Sequence, residues 1–373
     1  MAGIYLHIPF CKKRCIYCDF FSTTRKEQKT AYIRALCHEL TDRKNYLKGE
    51  PIETIYLGGG TPSQLAKEDF EAIFSHIYKV YKVTPNAEIT LEANPDDLTS
   101  EYISMLRTFP FNRISMGIQT FQDSTLKLLH TADQAIRAFQ GCRTAGFQNI
   151  SIDLMYGLPG ETLTSWKKDL KQALSLHPEH ISAYHLIYEE GTPLWKLREQ
   201  HKVEEADEDL SVSLFGTLID ELTTAGYEHY EISNFCLPGL HSRHNSSYWT
   251  EKQYLGCGPS AHSYNGISRQ WNVASLDKYI EGISSGNPTF EVEELDSYTR
   301  YNDFVITHIR TQWGMPLPKL GKQYGEELYK YCLHMATPHL QQGTLEIKND
   351  TLKLTRKGVF ISDGIMSDML WVE

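Results

Sequence analysis

Tyr5-Leu6-His7-Ile8-Pro9-Phe10-Cys11-Lys12-Lys13-Arg14-Cys15-Ile16-Tyr17-Cys18-Asp19-Phe20 places three cysteines at CxxxCxxC spacing, directly behind a short β-branched and aromatic run. Thiolates are soft ligands, and at these separations all three can turn toward one soft metal centre. Structural zinc takes four ligands and tends to draw them from two separated CxxC pairs. The next cysteine, Cys37, has no close neighbour of its own kind. A four-iron cluster held by only three protein thiolates keeps one iron open. An open iron is a place for chemistry, so the stretch reads as a reactive site.

Outward from this stretch, strands alternate with helices. Strand-like runs fall at 4–8, 54–57, 88–92, 113–118, 150–156 and 180–188. Between them, apolar residues recur at three- and four-residue intervals, as in Ile33, Leu36, Leu40 and Phe70, Ile73, Ile77. Repeated strand–helix units predict an α/β fold with a parallel sheet, either open or curled into a barrel. Polar signals cluster where the strands end. The cysteine loop follows the first and Gly58-Gly59-Gly60-Thr61-Pro62 the second; Glu92 ends the third, Gln119 the fourth, and Asp153 lies within the fifth. In parallel α/β folds the site lies at the carboxyl ends of the strands.

Each mark also has an ordinary reading. The triple glycine lets backbone approach a ligand, or makes a tight turn. Glu92 can accept two hydroxyl hydrogen bonds or be a solvated loop charge. Gln119 and Asp153 interrupt apolar strands, and burying them is costly without partners. Tyr5 and His7 share one face of the first strand.

At 373 residues the chain suits one large α/β unit and a smaller one. Hydrophobic (41%) and charged (23%) contents are those of a globular protein. There is no apolar run long enough for a membrane span, and MAGIYLHIPF lacks a leader's basic start. Eight cysteines without a paired pattern indicate a reducing cytoplasm. A net charge of −10 argues against broad nucleic-acid binding.

CxxxCxxC with Tyr17 just before the third cysteine resembles the signature of the radical S-adenosylmethionine (SAM) superfamily. The flanking YLHIPFC and YCDF are similar to the oxygen-independent coproporphyrinogen dehydrogenases and to the HemW heme chaperones. The resemblance implies a partial (β/α)6 barrel. It implies a [4Fe–4S] cluster on Cys11, Cys15 and Cys18, whose open iron SAM chelates through its amino and carboxylate groups. Gly59, Gly60 and Thr61 would lie on the SAM amino group, Tyr5 beside its carboxylate, Tyr17 on the adenine and Glu92 on the ribose; the partner that Gln119 and Asp153 each need would be the cofactor or a structural hydrogen bond. The family's arginine after the glutamine has no counterpart in Leu128-Leu129-His130-Thr131-Ala132.

A second dense segment is His241-Ser242-Arg243-His244-Asn245-Ser246-Ser247-Tyr248-Trp249. Histidine can ligate heme iron, arginine can pair with a propionate, and aromatic rings can cover a macrocycle. On composition alone a hydrogen-bonded core or surface histidine is the commoner case. His244-Asn245-x-x-Tyr248-Trp249 is similar to the HNxxYW motif of HemW proteins, which makes His244 the expected heme contact. The dehydrogenases carry a fourth cysteine two residues after the third; here that position is Phe20. Both features favour the HemW branch.

Residues 204–222 predict a helix with the stripe Leu210, Leu214, Leu218, Leu222, and 227–235 a strand. Helices are expected at 296–311, 318–331 and 335–342, then a hairpin over 344–355, giving a small C-terminal α+β, winged-helix-like unit. The expected division is 1–235 (barrel), 236–290 (connecting segment with the HNxxYW motif) and 291–373. The resemblance implies a heme chaperone that delivers heme to a respiratory acceptor, with transient membrane contact and no nucleic acid. The competing readings are a coproporphyrinogen III dehydrogenase and a structural protein with a zinc-filled site.

Overall fold

The computed structural model describes residues 2–126 and 131–372. Six parallel strands form its centre: β1 (Ala2–Ile8), β2 (Ile52–Gly59), β3 (Val83–Ala93), β4 (Arg113–Gln119), β5 (Ile150–Tyr156) and β6 (His180–His185), paired in that order. All six expected strands are present. They are built largely from alternating or continuous apolar residues, and most of their residues are buried, as expected for a sheet covered on both faces; Tyr5 and Asp153, at the centres of β1 and β5, are only partly so.

The intervening helices follow from period and caps. Helix Lys29–Asp42 buries Ile33, Leu36 and Leu40, and helix Lys67–Val80 buries Phe70, Ile73 and Ile77. Thr131 and Thr162 each cap a helix start by accepting a backbone N–H with their side chains. In helix Glu208–Thr224 the expected stripe is buried at Leu214, Leu218 and Leu222, with Ile219 beside it.

Two departures lie after β6. The expected strand at 227–235 is a hairpin, β7 (Glu228–Glu231) and β8 (Asn234–Cys236), antiparallel to each other and seated on β6. Its reversal at Ile232-Ser233 has no glycine or proline; the Glu231 carboxylate makes the turn by accepting the Ser233 N–H at 3.1 Å. The segment expected as a connection then returns across the molecule. It adds β9 (Tyr254–Cys257), parallel to the far side of β1, then β10 (His262–Tyr264), β11 (Ser268–Asn272) and β12 (Phe290–Glu294). The sheet order is therefore β12-β11-β10-β9-β1-β2-β3-β4-β5-β6-β8-β7.

One buried carboxylate fastens this addition. Glu39, on the inner face of helix Lys29–Asp42, accepts the Gly258 N–H (2.9 Å), the Tyr279 hydroxyl (2.7 Å) and the Asn272 amide (2.7 Å) and pairs with Arg43 (3.2 Å). The main core runs continuously from Ala2 to Ile283.

A separate core spans Tyr301 to Met369. It is built by helix Ser297–Ile309, the helical stretch Leu317–Gln342 and the sheet of β13 (Met315–Pro316), β14 (Leu345–Lys348) and β15 (Thr351–Leu354). The long stretch breaks at Gly325, whose φ of 85° no helix permits. The expected division near residue 332 is thus shifted toward the N-terminus. Among the described residues no helix is long and apolar enough to cross a membrane.

Candidate active site at the strand ends

The loop after β1 is held by backbone hydrogen bonds on several sides. Thr23 donates to the Pro9 carbonyl (2.7 Å), Cys11 donates to that of Thr23 (2.9 Å), Thr61 to that of Phe10 (2.9 Å), and Leu194 to that of Ile16 (2.9 Å). Lys12 anchors the loop to Asp96 at 2.9 Å and also pairs with Asp97. Cys11, Cys15 and Cys18 are half-buried free thiols. The Thr61 hydroxyl donates to Cys11 Sγ at 3.3 Å.

This donor set suits a soft multi-metal group. Burial raises all three thiols, Cys18 to about 11, and mutual repulsion between their thiolates adds to the rise for Cys15 and Cys18. Ionising the three together therefore needs a compensating cation. Among the described residues their sulfurs do not all lie within 4.8 Å of one another. Zinc–sulfur bonds of about 2.3 Å would hold them closer than that. The wider spread fits a cluster with several irons.

The turn after β2 is shaped by its neighbours. Gly59 has φ 105°, and a Cβ there would stand 2.5 Å from His7 Nδ1; one on Gly60 would meet the Ile8 carbonyl oxygen at 2.7 Å. The glycines thus let this turn lie directly on the end of β1. His7 is buried and donates Nε2–H to the Phe21 carbonyl (2.8 Å), so its Nδ1 accepts from the Tyr5 hydroxyl (3.2 Å). Burial holds it neutral by lowering its pKa to about 4.

Glu92 accepts the Gly59 N–H at 3.1 Å and the Tyr56 hydroxyl at 2.7 Å. Its pKa is raised to about 7 by burial, with a further rise from Asp153, against the lowering effect of those two hydrogen bonds and of Arg113. Asp153 is raised to about 6 by burial and accepts the Ser115 hydroxyl at 3.3 Å. Gln119 closes β4 with φ 68° at a register irregularity against β5. Such a bulge re-aims a side chain at the strand end. The Gln119 amide lies so close to Gly117 that a Cβ there would sit 3.0 Å from its Nε2. The structure therefore brings Gly59, Gly60, Thr61, Glu92, Gln119 and the cysteine loop to one edge of the sheet, with Tyr5 and Asp153 further in, at the middles of β1 and β5; the Tyr5 ring stacks on His244 at 6.3 Å. Tyr17 lies on that loop, packed against Met155, Leu186, Tyr188 and Leu194. The stretch 128–130, where the arginine departure falls, is outside the described residues.

The sequence reading missed Tyr56, Ser115 and Arg113. Tyr56 is opposite Tyr5 in register and two residues before Gly58, a signal visible once β1 and β2 are paired. Arg113 is buried, with Nε and Nη1 unpartnered, and its charge lowers both Glu92 and Asp153.

The radical SAM superfamily model matches residues 5–173, and the HemN C-terminal domain model matches 295–361. The heme chaperone HemW of Bacillus subtilis is 31% identical, covering 99% of this chain and 99% of its own; that of Mycobacterium tuberculosis is 32% identical, covering 99% and 94%. This chain belongs to the HemW family of the radical SAM superfamily. Its fold is also that of coproporphyrinogen III oxidase (HemN) from Escherichia coli, with a TM-score of 0.86 at 22% identity over 99% of this chain and 89% of that one.

The HNxxYW segment of this HemW-family chain lies near the opposite edge. His244 is 1% exposed, at the start of helix Arg243–Tyr248. Its Nδ1 bonds the Thr54 hydroxyl (2.8 Å) and its Nε2 that of Tyr248 (2.9 Å), and the ring stacks on Tyr56 at 5.0 Å. Burial, helped by Arg113, lowers its pKa to about 3. Glu88 fixes the helix start by accepting the N–H groups of Arg243 (3.0 Å) and His244 (2.9 Å). His244 and the strand-end edge thus share a column, His244–Tyr56–Glu92, through the middle of the sheet.

A pH prediction follows from Glu92. Its folded pKa exceeds the ordinary glutamate value of 4.5. The folded state therefore holds the proton more tightly, and the stability this group adds is full below pH 4.5 and lost as pH rises through about 7. Replacement by glutamine should flatten this part of the stability profile. Chemical denaturation of both proteins across that range measures it, and parallel profiles would refute the raised pKa.

Proposed function

We propose that this HemW-family chain is a heme chaperone that carries a [4Fe–4S] cluster on Cys11, Cys15 and Cys18 and binds SAM along the strand ends. The reading is supported by one barrel that carries both the CxxxCxxC loop with its glycine turn and the HNxxYW segment, with exposed Phe20 where the dehydrogenases have a fourth cysteine. Bound there, the cluster and SAM would supply one-electron chemistry at a sulfonium. Within this reading, Glu92 holds the ribose once it has lost its proton, Gly59 and Gly60 admit the amino group, and Tyr5 lies beside the carboxylate. The HemW relatives are named heme chaperones, and the family implies a respiratory acceptor reached from the cytoplasm through transient membrane contact. In this division of labour 1–235 forms the cofactor barrel, 236–290 bears the heme motif, and 291–373 supports them; the second core, beginning at Tyr301, supports the last boundary.

Heme contact through His244 requires release of the Tyr248 hydrogen bond. Two variants test this with opposite signs. His244→Ala should weaken heme binding by at least about tenfold, the loss of one ligand bond. Tyr248→Phe removes the competing hydroxyl and should tighten heme binding. Absorbance titration of the cluster-loaded protein reads both. Equal affinity in native and His244→Ala protein removes His244 from this role. Formation of protoporphyrinogen from coproporphyrinogen III with SAM under anaerobic reduction would overturn the chaperone reading in favour of the dehydrogenase.

A further inference from the structure

Away from the strand-end edge, the β7–β8 hairpin assembles a second set of ligand atoms. Glu228 opens β7 and Cys236 closes β8, and the two residues face each other directly in the antiparallel register. Side chains so placed lie on the same face of the sheet, close together. The chain then turns through Leu237-Pro238-Gly239-Leu240, with Gly239 at φ 79°, and returns His241 to the same spot. A carboxylate oxygen of Glu228, the Cys236 sulfur and a ring nitrogen of His241 all lie within 4.8 Å of one another. Among the described residues no other three histidine, cysteine or acidic side chains are so gathered.

We propose that Glu228, Cys236 and His241 form a binding site for a divalent cation of the zinc class. Imidazole, thiolate and carboxylate are the ligand types zinc accepts, and three protein ligands with one open position is a recurrent zinc arrangement. The His241 Nε2 to Glu228 Oε2 distance of 2.9 Å needs little change for both atoms to reach one ion. Cys236 is fully buried, whereas His241 borders an open cavity of about 270 Å³ lined also by Arg243, Gly239 and Trp313. An ion and its water can enter from that side. Polar contacts around the site are otherwise ill-matched: the Gln312 amide and Glu228 both approach the same His241 nitrogen, at 3.3 and 2.9 Å. That nitrogen cannot accept from one and donate to the other in a single tautomer. A cation resolves the conflict by taking the nitrogen lone pair and the carboxylate together. Gln312 and the neighbouring Trp313 belong to the C-terminal segment, with Trp313 5.3 Å from the His241 ring. The ion would therefore sit where the hairpin edge meets that segment.

The full-length protein with its cluster in place, stripped of loosely bound metal, is titrated with zinc chloride by calorimetry. Bound zinc is then characterised by zinc-edge X-ray absorption. The expected result is one equivalent with a single sulfur at about 2.3 Å and nitrogen or oxygen neighbours nearer 2.0 Å. Glu228→Gln and His241→Ala, both at partly exposed positions, should weaken binding at least about tenfold. Cys37→Ala, a thiol outside both sites, should keep the full equivalent. The proposal is overturned if no zinc binds, if the bound ion shows three sulfur neighbours, or if both variants retain native affinity.

Discussion

Cys15→Ala should yield a folded, colourless protein that retains no iron after anaerobic reconstitution. The loop around Cys15 is held mainly by backbone bonds, among them those from Cys11 to Thr23 and from Leu194 to Ile16, and these do not need the thiol. Half-buried Cys15 sits outside the main core. Its loss should change the stability of the cluster-free protein by no more than about 0.5 kcal/mol. Metal retention is different, because the three-thiolate set has no spare donor: the Thr61 hydroxyl already serves Cys11. Iron and sulfide analysis with absorption spectra of the native and variant proteins decides the matter. A Cys15→Ala protein with native iron content would mean that the cluster is not held by this loop.

The largest effect on stability should come from Glu39→Ala. The Glu39 carboxylate is almost fully buried and receives hydrogen bonds from Gly258, Asn272 and Tyr279, and it pairs with Arg43. Truncation leaves the Gly258 N–H and the Tyr279 hydroxyl without this acceptor in a low-dielectric interior and removes the charge partner of Arg43, which keeps its bonds to the Gly256 carbonyl and Ser263. Breaking a buried charge pair from one side costs about 3–5 kcal/mol. Equilibrium urea denaturation should show this as a lower midpoint, and limited proteolysis should cut first within residues 254–294. Glu39→Gln keeps the shape and should cost less, since only the charge is lost. An unchanged midpoint in Glu39→Ala would show that the β9–β12 addition is held by its apolar contacts alone.

How much was legible in the sequence depended on how local the signal was. The six parallel strands and their helices were legible because each carries its own pattern, as Ile33, Leu36 and Leu40 do within one helix. The cysteine loop, the triple glycine and Glu92 announced themselves because each follows its strand directly. Gln119 stood out as a polar residue at a strand end, but its left-handed conformation did not. The β7–β8 turn was hidden because Glu231, and no glycine or proline, reverses the chain. β9 to β12 were hidden for another reason: they are short, mixed in polarity, and owe their existence to β1 and Glu39, more than two hundred residues away. His244 shows the same limit. Its neighbours in sequence are polar, and only the packing of Thr54, Tyr56 and Tyr248 around it reveals a buried ring.

The position of β1 has a consequence for biogenesis. Although it comes before the other strands described here, β1 is an interior strand, flanked by β2 on one side and by Tyr254–Cys257 on the other. During synthesis its second edge stays unpaired until that distant segment has left the ribosome, and contacts of such long sequence separation form slowly. Both walls of the strand that leads into the cysteine loop are therefore complete only once residues 254–257 have been made.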